Sequence, residues 1–339
     1  MKPGGVRAPV FKVVFLAAIV GFPFVTSQFA IDVLSQIFLT VIGALSLMLL
    51  TGFAGQISLG HAGLLAAGAY TVGVLHQEYG APFWITLPAS AVAGAVLGLI
   101  FGFPSLRLRG VYLAVSTLAL HYIVIFFGTE YETSVGYSSG VVIDPPSVFG
   151  YALTSARVWY FILFGAAALT WVLSVNLLRS KTGRAWRAIR TNETAAEALG
   201  IPVARYKLFA FVITSAMTSV AGGLFGYYRG FVGADAFSIF VGIQYAAMVI
   251  IGGLGSLWGA VLGAALVTLL PYAIETLIFL LPGAENEQNI LFAANYAAFG
   301  VAMMIFLVVE PGGLVGFGRR IRARFRPRGR ASQDSMVPT

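Results

Sequence analysis

Apolar runs of about 20 residues recur along this chain, each the length of a helix that crosses the hydrocarbon core of a bilayer. Ten such runs can be laid out: 10–29, 31–50, 61–78, 83–103, 111–128, 157–178, 208–228, 238–254, 256–275 and 291–310. The pattern predicts an all-α fold, a polytopic transmembrane helical bundle of about 10 spans over 1–318, followed by a disordered basic tail at 319–339. Two places leave the number of spans open. Between 238 and 275 only the glycine-rich stretch Gly252–Gly259 interrupts the apolar pattern. At the start, Lys2, Arg7 and Lys12 precede an apolar run ending in Val25-Thr26-Ser27, which also fits a cleaved signal peptide; cleavage would leave nine spans.

Charge gives the pattern a direction. With the N-terminus inside, the cytoplasmic pieces are 1–12, 51–60, 104–110, 179–207 and 311–339, and they hold 19 of the 21 Lys and Arg residues. Only Arg157 and Arg229 fall on the outer side, where Asp32, Glu78, Glu130, Glu132, Asp144 and Asp235 gather. Basic residues concentrate in cytoplasmic loops, so the expected topology is N-in and C-in. The outer loop of most substance is 129–156, and the main cytoplasmic loop is 179–207.

Composition agrees. The chain is 58% hydrophobic and 10% charged, with a mean hydropathy of +0.88, whereas soluble domains carry about 25% charged residues. No cysteine is present, which removes disulfides and thiolate chemistry, and the three histidines, His61, His76 and His121, are scattered. No G-x-x-x-x-G-K-[ST] occurs, so no P-loop is available for ATP. Acidic residues sit near span ends rather than deep within spans, which argues against proton-coupled secondary transport. No nucleophile and base can be assembled into a hydrolase site. Seven arginines lie within Arg319–Arg330; directly after the last span they read as an orientation and lipid-headgroup signal rather than a nucleic-acid site.

Two segments carry the functional argument. Gly183–Lys207 (GRAWRAIRTNETAAEALGIPVARYK) is a charged, helix-capable island that must stand in water. Thr191 or Asn192 can cap a short helix over Glu193–Leu199, with Glu193 favoured in its first turn and Gly200 and Pro202 ending it. Thr51–Gly63 places Gly52, Gly55, Gly60 and Gly63 beside Gln56, Ser58 and His61 in an apolar stretch. Unwound backbone at membrane depth is tolerated only where protein or a water-filled cavity surrounds it, and such breaks point to transport sites. An ordinary cytoplasmic hairpin fits these residues equally well.

Polar residues inside spans, Gln244, Ser116, Thr117, Thr214 and Thr218, either pair with neighbouring helices or line a path, as do His61 and His121. Glycines at Gly94/Gly98/Gly102, Gly222/Gly226 and Gly259/Gly263 mark close helix crossings, within this chain or against a second one.

Glu193-Thr-Ala-Ala-Glu-Ala-Leu-Gly200 resembles the EAA-type loop of bacterial ABC importer permeases. Thr51–Gly68, Leu106–Ala114, Gly183–Lys207 and Gly252–Leu262 together resemble, in order, the LivM-type permeases for branched-chain amino acids. The outer loop 129–156 departs from that pattern, being short and lacking a Gly-rich Asn/Asp stretch. The resemblance implies an ATPase-coupling loop with Arg190, Glu193, Ala196, Glu197 and Gly200 at its centre. Candidates for the translocation path are Gly52, Gly55, Gln56, Ser58, His61 and Gln244. Implied partners are a second permease of LivH type, two ATP-binding subunits, a periplasmic or tethered solute-binding protein and the lipid bilayer. No cofactor is expected on this chain; ATP and Mg belong to the ATPase subunits. Urea or short-chain amide importers share the architecture, and an ATP-independent transporter or a scaffold is the rival of another class.

Overall fold

The computed structural model describes residues 21–279 apart from 107, 109, 137–139, 149 and 150, together with 313–324 and the isolated residues 19, 297, 300, 301 and 304. Apart from those isolated residues, the expected span 291–310 and the first half of 10–29 therefore lie outside the described residues.

In chain order, α1 (Gln28–Leu47) passes into a turn of π-helix, Met48–Phe53. There follow α2 (His61–Tyr79), α3 (Phe83–Ser105) and α4 (Val111–Val135). Three two-residue strands come next, β1 (Val141–Val142), β2 (Ser147–Val148) and β3 (Tyr151–Ala152). Then come α5 (Ala156–Arg179), α6 (Lys181–Thr191), α7 (Glu193–Ala198) and α8 (Val203–Arg229). The strand β4 (Phe231–Val232), a 3-10 turn at Ala234–Phe237, α9 (Ile239–Gly252), α10 (Leu257–Phe279) and α11 (Gly313–Arg324) complete the described chain.

Among the described residues seven helices are long and apolar enough to cross a membrane: Gln28–Phe53, Phe83–Pro104, Tyr112–Val135, Ala156–Arg179, Val203–Arg229, Ala234–Gly252 and Leu257–Ile274. The run expected at 61–78 is helical as α2 but is not one of the seven. Its composition has a physical reason. Nearly every residue from His61 to Gly73 is buried, on all faces, against α3, α4 and α8. A helix wrapped by protein has no lipid to satisfy, so it can carry histidine, glycine and threonine at little cost. The doubtful stretch 238–275 resolves into two helices, because Gly253 and Gly255 take positive φ (111° and 87°), backbone that only glycine adopts readily. The basic stretch from 319 begins as part of α11, so the expected disorder does not extend to 319–324.

α1 and α8 run antiparallel through the centre, and their side-chain contacts give the register. Tyr228 donates to the Asp32 backbone carbonyl (3.3 Å), Arg229 to Gln36 (3.0 Å), Ser46 pairs with Thr218 (2.8 Å), and Gln56 reaches the Lys207 carbonyl (3.0 Å). At one end, β1 pairs antiparallel with β4, β2 with β3, and Glu132 receives both the Tyr70 hydroxyl (2.6 Å) and the Ala234 N–H (3.2 Å). At the other end sit α6, α7, the 54–60 connection and the 253–256 break. The expected outer loop is shorter than 129–156, because α4 continues to Val135.

All three glycine series turn inward. Gly94, Gly98 and Gly102 of α3 lie on Ser219, Ser215 and Phe211 of α8, and Gly222 of α8 lies on the Leu65 carbonyl of α2. Gly259 and Gly263 of α10 lie on the backbone of Gly252 and Met248 of α9. Such close approach lets dispersion hold helices together where the hydrophobic effect does not act. A Cβ at Gly222 would overlap the Leu65 carbonyl, whereas nothing lies near Gly165. Gly222→Val is therefore expected to destabilise the bundle by about 3 kcal/mol or more, and Gly165→Val to leave it unchanged. Thermal unfolding of the two variants in detergent, read by monodisperse elution after heating, checks the difference.

Candidate functional site

The arginine-rich end is built from the backbone outward. α6 is amphipathic, with Gly183, Ala185, Trp186 and Ile189 buried on one face. Arg184 and Arg187 bend back to the carbonyls of Arg179 (3.1 Å) and Leu178 (3.2 Å), which end α5 without helical partners. Trp186 is fully buried and donates its indole N–H to the Tyr206 carbonyl (2.9 Å). This cross-link fixes α6 against the start of α8.

α7 is short and depends on its caps. Asn192 is extended, and its Oδ1 accepts the Ala195 N–H at 3.0 Å. At the far end Gly200 takes φ +80°; its N–H donates to the Glu197 carbonyl (2.9 Å) and the Ile201 N–H to the Ala196 carbonyl (3.1 Å), a Schellman motif. Ile201 and the buried Ala196 then pack with Ile189 and Val203. Glu193 pairs with Lys207 at 2.7 Å, tying α7 to α8. What α7 leaves outside is an edge of Glu197, Ala198 and Leu199, with the Leu199 side chain 80% exposed.

Arg190, exposed at the end of α6, reaches back to the bundle rather than to that edge. Its guanidinium donates to the Gly52 carbonyl, in the π-turn where the regular ladder is broken. Two glycines make room. A Cβ at Gly55 would stand 3.2 Å from Arg190 Cγ, and one at Gly255 2.8 Å from Nη1. Around this contact the Ala54 N–H reaches the Leu49 carbonyl (3.0 Å), Gln56 N–H the Leu50 carbonyl (3.1 Å), and Thr51 Oγ1 the Gln56 carbonyl (3.0 Å). The buried Gln56 side chain donates to the Lys207 carbonyl, and Gly255 N–H to Met48 Sδ (3.3 Å). Gly313 of α11 abuts Gly253. One guanidinium thus sits where α6 meets both glycine breaks.

The remaining expected residues lie deeper. Ser58 and His61 are buried. Leu59 N–H donates to Thr117 Oγ1 (2.9 Å), and Gly60 and Gly63 lie on the backbone of Thr117 and His121 in α4. The His61 ring is 4.7 Å from Tyr245, and its Nε2, like Nδ1 of His121, has no hydrogen-bond partner among the described residues. Tyr245 in turn walls a cavity of about 130 Å³ together with Thr40, Gln36, Tyr228, Gln244 and Met248.

The structure therefore gathers Arg190, Glu193, Gly52, Gly55 and Gln56 into one cluster, with Lys207 as a link that the sequence reading did not name. Gln244 is apart from it, in the cavity, with His61 behind Tyr245. Ala196 faces inward, and Glu197 and Gly200 face out. The helix α6 and the exposed Leu199 were also missed. The spacing of Ala185, Trp186 and Ile189 carried the signal for the first. An apolar residue beside a glycine stop carried it for the second.

Comparisons with known proteins converge on one family. Residues 29–308 match the family described as branched-chain amino acid transport system / permease component. The chain is 32% identical to the high-affinity branched-chain amino acid transport system permease protein LivM of Escherichia coli, over 93% of this chain and 76% of that protein. It is 27% identical to the probable branched-chain amino acid transport permease protein LivH of Methanocaldococcus jannaschii, over 74% and 79%. It is 30% identical to the autoinducer 2 import system permease protein LsrC of an Enterobacter species, over 70% and 67%. No solved structure matches. With its several apolar helices and this match over most of its length, the chain is a multi-pass membrane protein that belongs to the family of permease components of branched-chain amino acid transport systems.

Proposed function

We propose that this chain is the membrane-spanning subunit of an ATP-driven importer of leucine, isoleucine and valine in a prokaryotic plasma membrane. It crosses that membrane about ten times, with both termini inside, and 179–207 is its cytoplasmic coupling loop. The permease domain is 1–318, followed by the basic cytoplasmic tail 319–339. A second permease of LivH type completes the path, two ATP-binding subunits carry ATP and Mg, and a periplasmic or tethered binding protein delivers the cargo. The chain itself catalyses no reaction and holds no cofactor.

One observation carries this reading: a doubly capped helix, α7, seated on the bundle with an exposed edge and joined through α6 and Arg190 to both glycine breaks. A rigid knob with an apolar tip suits a groove on another protein, and Glu197, Leu199 and Gly200 are its contact residues. Ala196, Glu193 and Arg190 hold the knob in place. Closure of the ATPase dimer presses on α7, and α6 passes the displacement to the breaks at 52–56 and 252–256. The bundle then exchanges between outward and inward openings, each favoured by a different ligand. Gly52, Gly55, Gln56, Ser58 and His61 line or support the inner end of the path, and Gln244 its middle.

The similarity to a permease named for autoinducer 2 import favours a second reading in which the same machine carries another small polar solute. Urea and short-chain amides belong to that reading. Proteoliposomes holding the full complex decide between them: ATP-dependent uptake of radiolabelled leucine, absent for urea, is the expected result. Uptake by this subunit without ATP would defeat the importer reading.

Glu197→Arg and Leu199→Asp are each expected to lower ATP-driven uptake at least about tenfold, the cost of losing one well-buried contact residue at an interface. Both should insert and fold normally, because neither side chain packs in the bundle. Uptake equal to that of the unmodified chain in both variants would remove α7 from the docking role.

A further inference from the structure

The end of the molecule opposite Arg190 holds a second, larger cavity of about 500 Å³, within the range of small-molecule sites, about 300–1,000 Å³. Its floor is a polar stripe on α1. Gln28, Asp32, Gln36 and Thr40 are spaced four residues apart and so share one helix face, in a span whose other hydroxyl residues are Ser35 and Ser46. Gln28, Asp32 and Gln36 line the large cavity, and Gln36 and Thr40 line the 130 Å³ cavity described above. Gln36, Tyr228 and Arg229 belong to both walls, so the two spaces adjoin at these side chains.

The large cavity contains one charge of each sign. Arg229 is one of the two basic residues that the charge pattern puts outside the cytoplasmic pieces. Its Nη2 donates to Gln36 Oε1 at 3.0 Å, leaving further N–H groups of its five for a ligand. Asp32 lies near the Tyr228 hydroxyl (3.5 Å from Oδ1), and among the described residues no ion pair joins it to Arg229. The same cavity is lined by Trp159, fixed by its N–H to the Leu153 carbonyl (2.8 Å), and by Leu153 itself. A fixed cation, a fixed anion and an apolar wall in one space are the complement of a free α-amino acid with an apolar side chain.

We infer that this outer cavity is a receiving site that reads the zwitterion. Arg229 takes the carboxylate, Asp32 takes the ammonium, and Trp159 and Leu153 cover the side chain. The solute then passes the Gln36–Arg229 pair into the inner cavity beside Gln244. The inference rests on the proposed function for its cargo and for the outward orientation of this end. It adds a selectivity step on the permease itself, and it excludes solutes lacking either charge.

The chain has no cysteine, so a single one reports cleanly. Thr154→Cys places a thiol on the exposed wall of the cavity. In the assembled transporter, with the binding protein omitted, labelling by an impermeant maleimide is followed with added leucine, leucinamide, isovalerate or urea. Leucine is expected to slow labelling, and the other three, each lacking one or both charges, are not. Adding Arg229→Gln or Asp32→Asn should abolish the leucine effect and lower ATP-driven leucine uptake at least about tenfold, the worth of a charge-assisted hydrogen bond. Arg229→Lys, which keeps the charge, should restore part of both. Labelling indifferent to leucine, or slowed equally by leucinamide and isovalerate, would overturn the receiving site. So would protection by unliganded binding protein alone, which would make the cavity a docking socket. Failure of the proposed function looks different, because the unmodified complex would then show no ATP-driven leucine uptake at all.

Discussion

The Arg190 guanidinium on the Gly52 carbonyl is the contact through which the arginine-rich end of the molecule is organised. The π-turn at Met48–Phe53 leaves backbone groups outside the regular ladder, and such groups away from water need partners. A planar cation with several donors satisfies one of them and remains wide enough to touch a second element. Gly55 and Gly255 supply the room, since a side chain at either would meet the arginine. Gln56 and Met48 extend the cluster to α8 and to the 253–256 break. The Gly255 N–H on Met48 Sδ already joins the two breaks, and Arg190 is the link that adds α6 to them.

In the proposed cycle that geometry is what would turn a local docking event into a movement of helices. α7 is too short to be stable alone and is held by Asn192, the Schellman turn and the Ile189–Ala196–Val203 cluster. It moves as a unit with α6, whose Trp186 is pinned to Tyr206. α7 and α6 touch the bundle at two points, through Lys207 and Tyr206 on α8 and through Arg190 at the glycine breaks, and a displacement in the proposed cycle would pass along both. Glycine at positive φ in Gly55, Gly253 and Gly255 lets those breaks change direction, while the glycine crossings at Gly222 and Gly98 keep the helices between them packed.

Much of this was legible in the sequence. The apolar runs placed the long helices, and the Asn192 to Pro202 signals placed α7 to within a residue, because capping chemistry is local. The glycine series marked crossings whose partners only the structure supplied, since spacing tells that a face is thin and not what lies on it. α2 was recognised as a helix but not as the buried centre, because burial within protein and burial in lipid select similar residues. α6 was legible only as part of a helix-capable island, because its arginines hid where the apolar face of Ala185, Trp186 and Ile189 begins and ends. Arg190 and Glu193 entered the coupling loop through the resemblance; in the structure each has a partner within the chain, the Gly52 carbonyl and Lys207. Exposure is a property of direction, which composition does not contain. The stripe from Gln28 to Thr40 has a four-residue period in the sequence, but only the cavity beside it gives that period a meaning.

The coupling role given to Arg190 is the most exposed part of the account, and one ratio addresses it: leucine moved per ATP hydrolysed, in proteoliposomes containing the complete transporter. Arg190→Gln keeps the helix and removes the charge and most of the donors. The account predicts that the variant assembles, that the ATPase subunits still hydrolyse ATP, and that the ratio falls several-fold. An unchanged ratio with normal assembly would contradict it, because the two glycine breaks would then be driven by some contact other than the one that joins them to α6.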